Sequence, residues 1–366
     1  MELFSFFSGV GILDLGFQEA GFDIVFVNEY QKNFLNSYRY ARKKRGYANP
    51  KYGYHAGDIN DYLTGDAIVE FSGYIDDARQ RGEEIGFIGG PPCPDFSVAG
   101  KNRGRDGDNG KLAKSYIEMI LKYSPDFFLF ENVKGLIKTK RHREYYEELK
   151  SNLIDGNYVL SEKLVNALSY GVPQDRERII LIGVKKGCRL SKRIIFMNAS
   201  FSFPWNSGVP YDAAKVKMMA WPKTQSFKCD SKRKFRYQVP EELTVEYWFK
   251  ANKTGSHKNS KDVFLVKSGI ARIQEIDEGD TSRKSFKRLH RWRYSPTAAY
   301  GNNEVHLHPY KLRRLSVAEA MAIQSLPRWF CLPADVTLTQ KFKMVGNGVP
   351  FLLSYKIAMQ IRDFLV

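Results

Sequence analysis

The chain has 366 residues, 43% hydrophobic and 27% charged, which suits one large domain or a large and a small one at roughly 100–200 residues each. No run of about 18 uncharged apolar residues could span a bilayer, and residues 1–10 lack the pattern of a secretion signal. Cys93, Cys188, Cys229 and Cys331 form no C-x-x-C pair, so a cytoplasmic protein without membrane contact, disulfide framework or metal site is expected.

The net charge of +17 is unevenly placed. Residues 185–310 hold 25 Lys and Arg against 11 Asp and Glu, and the flanks hold 32 against 29. A basic block between two nearly neutral parts can neutralise phosphates while leaving the rest for another task. Aromatic residues interleave with the cations from Arg283 to Tyr294, which favours nucleic-acid binding over a plain solvated surface.

In chain order, Leu3–Phe7 reads as a strand, Ser8-Gly9-Val10-Gly11 as a tight turn, Ile12–Ala20 as a helix and Asp23–Val27 as a second strand ending at Asn28-Glu29. This is the opening of a nucleotide-binding βαβ unit, with an acidic residue 20 positions beyond Gly9 to meet ribose hydroxyls. Asp14 stands where the last glycine of G-x-G-x-x-G would be, which argues against a dinucleotide and leaves a smaller adenosine ligand. Further strands are expected at Ile85–Gly89, Asp126–Phe130 and Arg178–Val184, with a helix at Lys111–Tyr123. The class is α/β with a mainly parallel sheet, in which ligands bind beyond the carboxyl ends of the strands. Gly9, Glu29, Asp58, Cys93 and Glu131 stand at such ends. From about Lys185 the alternation gives way to short, basic, aromatic-rich segments, read as a second domain over 185–310. Helical patterning returns at Val317–Ser325 and Phe351–Phe364.

Cys93 follows an apolar strand within Gly89-Gly90-Pro91-Pro92-Cys93-Pro94. Prolines fix the backbone there, and Lys101, Arg103 and Arg105 could lower its thiolate pKa, which makes it a candidate nucleophile. Glu131 leaves a hydrophobic strand, where burial raises a carboxyl pKa as a general acid or neutral donor requires; a helix N-terminal carboxylate is the plainer alternative. Arg176 and Arg178 precede a strand and could orient carbonyl oxygens or phosphates, or form ion pairs.

Together, Phe7-Ser8-Gly9-Val10-Gly11, Pro91-Pro92-Cys93, Glu131-Asn132-Val133, Gln174-Asp175-Arg176-Glu177-Arg178, Arg313-Arg314-Leu315-Ser316 and Gly346-Asn347-Gly348-Val349 resemble, in order, the motifs of DNA (cytosine-5) methyltransferases. The resemblance covers about residues 3–184 and 311–364. It implies a Rossmann-like S-adenosylmethionine-dependent catalytic domain over 1–184, completed by 311–366, with a smaller irregular target recognition domain over 185–310. It further implies that Cys93 adds to cytosine C6, that Glu131 holds N3 and N4, and that Arg178, with Arg176 as a second candidate, faces O2. A target inside a duplex must be flipped out, and the glycine-rich run 100–110 could close over it. For S-adenosylmethionine, the resemblance puts Phe7 on the adenine, Gly9, Val10, Gly11 and Ile12 along the amino acid part, Glu29 on the ribose and Asp58-Ile59 at the adenine edge. Pro92, Asn347 and Val349 complete the pocket.

Three departures stand out. Ile12 replaces a frequent second glycine, which is expected to narrow the cofactor turn. Pro94-Asp95 replaces a frequent glutamine after the Pro-Cys pair. Ser295-Pro296-Thr297-Ala298 only weakly resembles the family's closing threonine signature. The expected substrate is double-stranded DNA, with a cognate restriction endonuclease as a functional partner that forms no stable complex. An RNA cytosine-5 methyltransferase and an inactive DNA-binding scaffold are the competing readings.

Overall fold

The computed structural model describes residues 1–92, 108–266, 269–283, 285–297, 300 and 304–366, the side chains of 108–110 excepted. Cys93, the loop 100–107 and Ala298 lie outside the described residues. Strands β1 (Glu2–Phe6), β2 (Asp23–Glu29), β3 (Tyr54–Ala56), β4 (Ile85–Gly89) and β5 (Phe127–Val133) are mutually parallel, in spatial order β3-β2-β1-β4-β5. The near-continuous apolar sequences of β1, β2, β4 and β5 follow from burial on both faces. Helices α1 (Ile12–Glu19), α2 (Lys32–Arg45), α3 (Ile68–Gln80) and α4 (Asp108–Tyr123) connect them. The order reverses between β1 and β4, and the crevice beyond the strand ends at such a switch is where a ligand can enter between two diverging loops.

The sheet continues past β5 with a change of direction. After α5 (Lys140–Asp155), β6 (Tyr158–Asn166), the short β7 (Gln174–Asp175) and β8 (Glu177–Lys185) follow. β8 runs antiparallel between β5 and β6, with Val133 opposite Arg178 and Phe127 opposite Val184. The start of β8 therefore lies beside the end of β5. This pairing also carries β5 three residues past Phe130, so Glu131 and Asn132 belong to the strand itself.

The pattern break at Lys185 does not end the sheet packing. β9 (Phe196–Met197) and β10 (Ser200–Phe201) add the last two strands, and Leu190, Ile194, Phe201 and Phe203 join the core beneath the sheet. The following segment carries α6 (Ala213–Met218), α7 (Val245–Ala251), α8 (Ile270–Gln274) and the short β11 (Ser295–Pro296), which pairs with β7. Its own apolar clusters are small. Helices α9 (Val317–Ile323), α10 (Leu338–Asn347) and α11 (Phe351–Leu365) close the chain. α9 begins with a reciprocal capping box between Ser316 and Glu319, and α11 packs along α1, with Ser354 against Gly16.

The interleaved run 283–294 is largely interior. Arg288, Leu289, His290, Arg291 and Trp292 are all buried. Arg288 donates to the carbonyls of Ile273, Ile276 and His308 and lies 3.7 Å from the centre of the Phe227 ring. Arg291 pairs with Glu278 at 2.7 Å and donates to the Ser231 carbonyl. These cations are occupied by internal acceptors, and their mixture with aromatics reflects packing. A dense cluster of exposed cations in the basic block lies apart from these buried arginines, at Lys223, Lys228, Lys232, Arg233, Lys234 and Arg236.

Candidate active site

The parallel register brings the ends of five strands to one edge: Asp58 after β3, Glu29 at the end of β2, Gly9 after β1, Pro91-Pro92 after β4, and Glu131 near the end of β5. Phe7 leaves β1 with φ +52 and half-buried, its ring meeting Tyr116 edge-on at 6.0 Å. The turn that follows is tied to β2. Ser8 N–H and Oγ–H both donate to the Asn28 carbonyl, and Gly9 N–H donates to Glu29 Oε2 at 2.9 Å. Glu29 Oε1 accepts from Gln31 N–H at 2.8 Å. Burial raises the Glu29 pKa, and these two amides oppose that rise.

Gly11 closes the turn with φ +74, and a Cβ there would lie 2.1 Å from the Tyr38 ring. Only glycine meets both demands. Its carbonyl accepts from the buried Arg42 at 2.6 Å, a link between α2 and the turn that the sequence reading missed. Val10 and Ile12 are buried, and Ile12 packs against Gly348.

On the next strands, Asn28 Nδ2 donates to the Gly57 carbonyl at 3.1 Å, which stitches the ends of β2 and β3 together. Asp58 accepts from the backbone and side chain of Asn60, whose Oδ1 in turn receives Ser115 of α4. Ile59 is buried, and Pro92 is exposed. Asn28 was missed because a polar residue at a strand end reads as a turn signal, and only its burial reveals a bridge.

Glu131 is buried, and its Oε1 meets Arg178 Nε at 2.9 Å. A Cβ on Gly90 would stand 2.7 Å from Glu131 Oε2, so glycine there lets the loop after β4 close over the carboxyl. Asn132 Nδ2 reaches the Pro91 carbonyl at 3.5 Å. Burial raises the Glu131 pKa above the ordinary carboxylate value, while Arg178 and Arg176 oppose that rise. The upward shift favours the protonated carboxyl, the form that can donate a hydrogen bond. Arg178 arrives there because β8 is antiparallel.

Arg176 takes a different place. Its Nη2 donates to the carbonyls of Gly346 and Gly348, at 2.9 and 3.0 Å. Burial pushes its pKa well down. Asn347 is the exposed last residue of α10, and Gly348 has φ −66, so the glycine-flanked position is a helix end instead of a surface turn. Val349 is buried at the foot of α11. Among the described residues no group of His, Cys, Asp and Glu is arranged to hold a metal ion, and no helix is long and apolar enough to cross a membrane.

Comparison with known proteins follows this geometry. The sequence model of the family described as C-5 cytosine-specific DNA methylase matches residues 1–363. The type II methyltransferase M.NmeDI of Neisseria meningitidis serogroup C is 51% identical over 99% of this chain and 84% of that protein. M.FnuDI of Fusobacterium nucleatum is 30% identical over 100% of this chain and 95% of that protein. The fold is similar to that of an E. coli prophage-encoded protein described as a DNA modification methyltransferase, with TM-score 0.67 and 24% identity over 100% of this chain and 99% of that one. A DNMT2 of Spodoptera frugiperda shares the fold at TM-score 0.59 and 15% identity, over 99% of each chain. The chain belongs to the C-5 cytosine-specific DNA methylase family and is a DNA (cytosine-5) methyltransferase of the type II kind.

Proposed function

We propose that this enzyme modifies a flipped-out cytosine of a specific duplex sequence, with S-adenosylmethionine as methyl donor, as the modification partner of a restriction endonuclease. The observation that carries the reading is the convergence of Gly9, Glu29, Asp58, Pro92, Glu131 and Arg178 on one edge of the sheet.

The residues fit the cofactor. A Cβ on Gly9 would meet nothing within 4 Å, so the turn presents open backbone to an amino acid moiety. Each Glu29 oxygen accepts one amide and keeps lone-pair capacity for a ribose hydroxyl. Phe7 would flank the adenine, with Asp58 at its edge, while Val10, Gly11, Ile12, Ile59, Asn347 and Val349 would shape the surrounding backbone. When bound, S-adenosylmethionine supplies an electrophilic methyl group.

Cys93 would act as a thiolate that bonds to cytosine C6, moving the electron pair of the 5,6 double bond toward C5. Glu131, protonated, would donate to N3 and accept from N4, and Arg178 would face O2. Once C5 carries its new substituent, loss of the C5 proton to a base restores the double bond and expels Cys93. Water is one candidate for that base. Duplex DNA would bind through residues after about 206, since 185–205 pack with the sheet.

The test is transfer of labelled methyl groups to cytosine in duplex DNA. Wild type should transfer, and Cys93→Ala and Glu131→Gln should lose activity by about 100-fold or more while still binding DNA. Full activity in Cys93→Ala would overturn the assignment, and transfer to RNA alone would favour the competing substrate.

A further inference from the structure

The short segment Gly346–Gly348, where α10 gives way to α11, is held from two sides. From the junction between β7 and β8, just before the strand that carries Arg178, the buried Arg176 donates to the carbonyls of both glycines. Such charge-assisted bonds compensate a guanidinium removed from water. From the turn after β1, Ile12 fills the space that Gly348 leaves, because a Cβ on Gly348 would lie 2.4 Å from Ile12 Cδ1. Tyr300 closes the other flank, 3.2 Å from where a Gly346 Cβ would be. Ile12 is the first residue of α1 and directly follows Gly11, so its position sets where the turn hands over to the helix.

We propose that Arg176 and Ile12 are positioning residues for the cofactor turn, and that both act through the 346–348 segment. The proposal rests on reading Gly9–Ile12 as the cofactor turn. In this account Arg176 serves the cofactor half of the site, whereas Arg178, two residues on, serves the base half. Ile12 and Gly348 form a matched pair: a larger side chain at one position requires none at the other.

The two halves separate in a measurement made without DNA. Binding of the demethylated product, S-adenosylhomocysteine, is measured by calorimetry for wild type, Arg176→Lys, Ile12→Gly, Gly348→Ala and the double variant Ile12→Gly/Gly348→Ala. The melting temperature of each checks its fold. Arg176→Lys, whose shorter side chain stops short of the Nη2 position that reaches both carbonyls, should weaken DNA-free binding about tenfold. Gly348→Ala should weaken it roughly 10- to 100-fold, and the added Ile12→Gly should recover most of that loss. The rescue compares two proteins that both carry Gly348→Ala, so general destabilisation does not imitate it. DNA-free binding unchanged in Arg176→Lys, or a double variant no better than Gly348→Ala, would overturn the proposal. Failure of the wild type to bind would overturn the cofactor reading itself and this inference with it.

Discussion

Asp14 occupies the place where a dinucleotide-binding turn would put its third glycine, and it is fully buried in the first turn of α1. Ser5 donates to its Oδ1 at 2.9 Å. Burial pushes its pKa up to about 6 from the ordinary 3.8, with Arg42 opposing the rise. A carboxyl whose folded pKa is raised binds its proton more tightly in the native state. Its contribution to stability is therefore fully present below about pH 4 and lost as pH rises through about 6, a change of roughly 2–3 kcal/mol. Melting temperatures of wild type and Asp14→Asn across pH 4–7 should diverge, with the wild type losing stability relative to the variant as pH rises. Parallel curves would contradict this. The sequence exposes Asp14 as a break in a glycine pattern, but its ionisation depends on Ser5 and Arg42, which reach it from β1 and α2.

At the scale of elements, the basic segment 223–236 carries six exposed cations and one carboxylate, Asp230. Arg291 braces it from inside by donating to the Ser231 carbonyl and hydroxyl, and Arg293 donates to Pro222. The buried arginines hold a backbone that turns Lys223, Lys228, Lys232 and Lys234 outward, where they can meet phosphates. Replacing Lys228, Lys232 and Lys234 by Gln should weaken DNA binding and reduce the slope of log affinity against log salt by about 3. The methylated sequence should stay the same, because phosphate contacts position the protein without reading bases. An unchanged slope would place the DNA elsewhere. The charge of this region was legible in the sequence, but its facing was not, because Arg288–Trp292 and Lys232–Arg236 look alike until burial separates them. The strands at Ile85–Gly89 and Asp126–Phe130 were legible because an apolar run buried on both faces needs no partner to identify it. The antiparallel direction of β8 was hidden, since pairing partners are not written in a strand's own residues.

Across the whole molecule, topology brings residues distant in sequence to one edge of the sheet. Parallel strands bring Gly9, Glu29, Asp58 and Pro92 to the crevice, and one reversed strand delivers Arg178 to Glu131. The motif pattern grouped Glu131 with Arg178, and the β5–β8 register brings the two into an ion pair. The resemblance named Arg176 as a second candidate beside Arg178, and its Nη2 donates to the carbonyls of Gly346 and Gly348. The account's central claim is covalent catalysis at cytosine by Cys93. The most direct measurement is trapping on duplex DNA containing 5-fluorocytosine in the presence of S-adenosylmethionine, because fluorine at C5 blocks the elimination that would release the enzyme. Wild type should form a denaturation-resistant complex, and Cys93→Ala should form none. An equal yield of complex from Cys93→Ala, or none from wild type on DNA that it demonstrably methylates, would contradict the account.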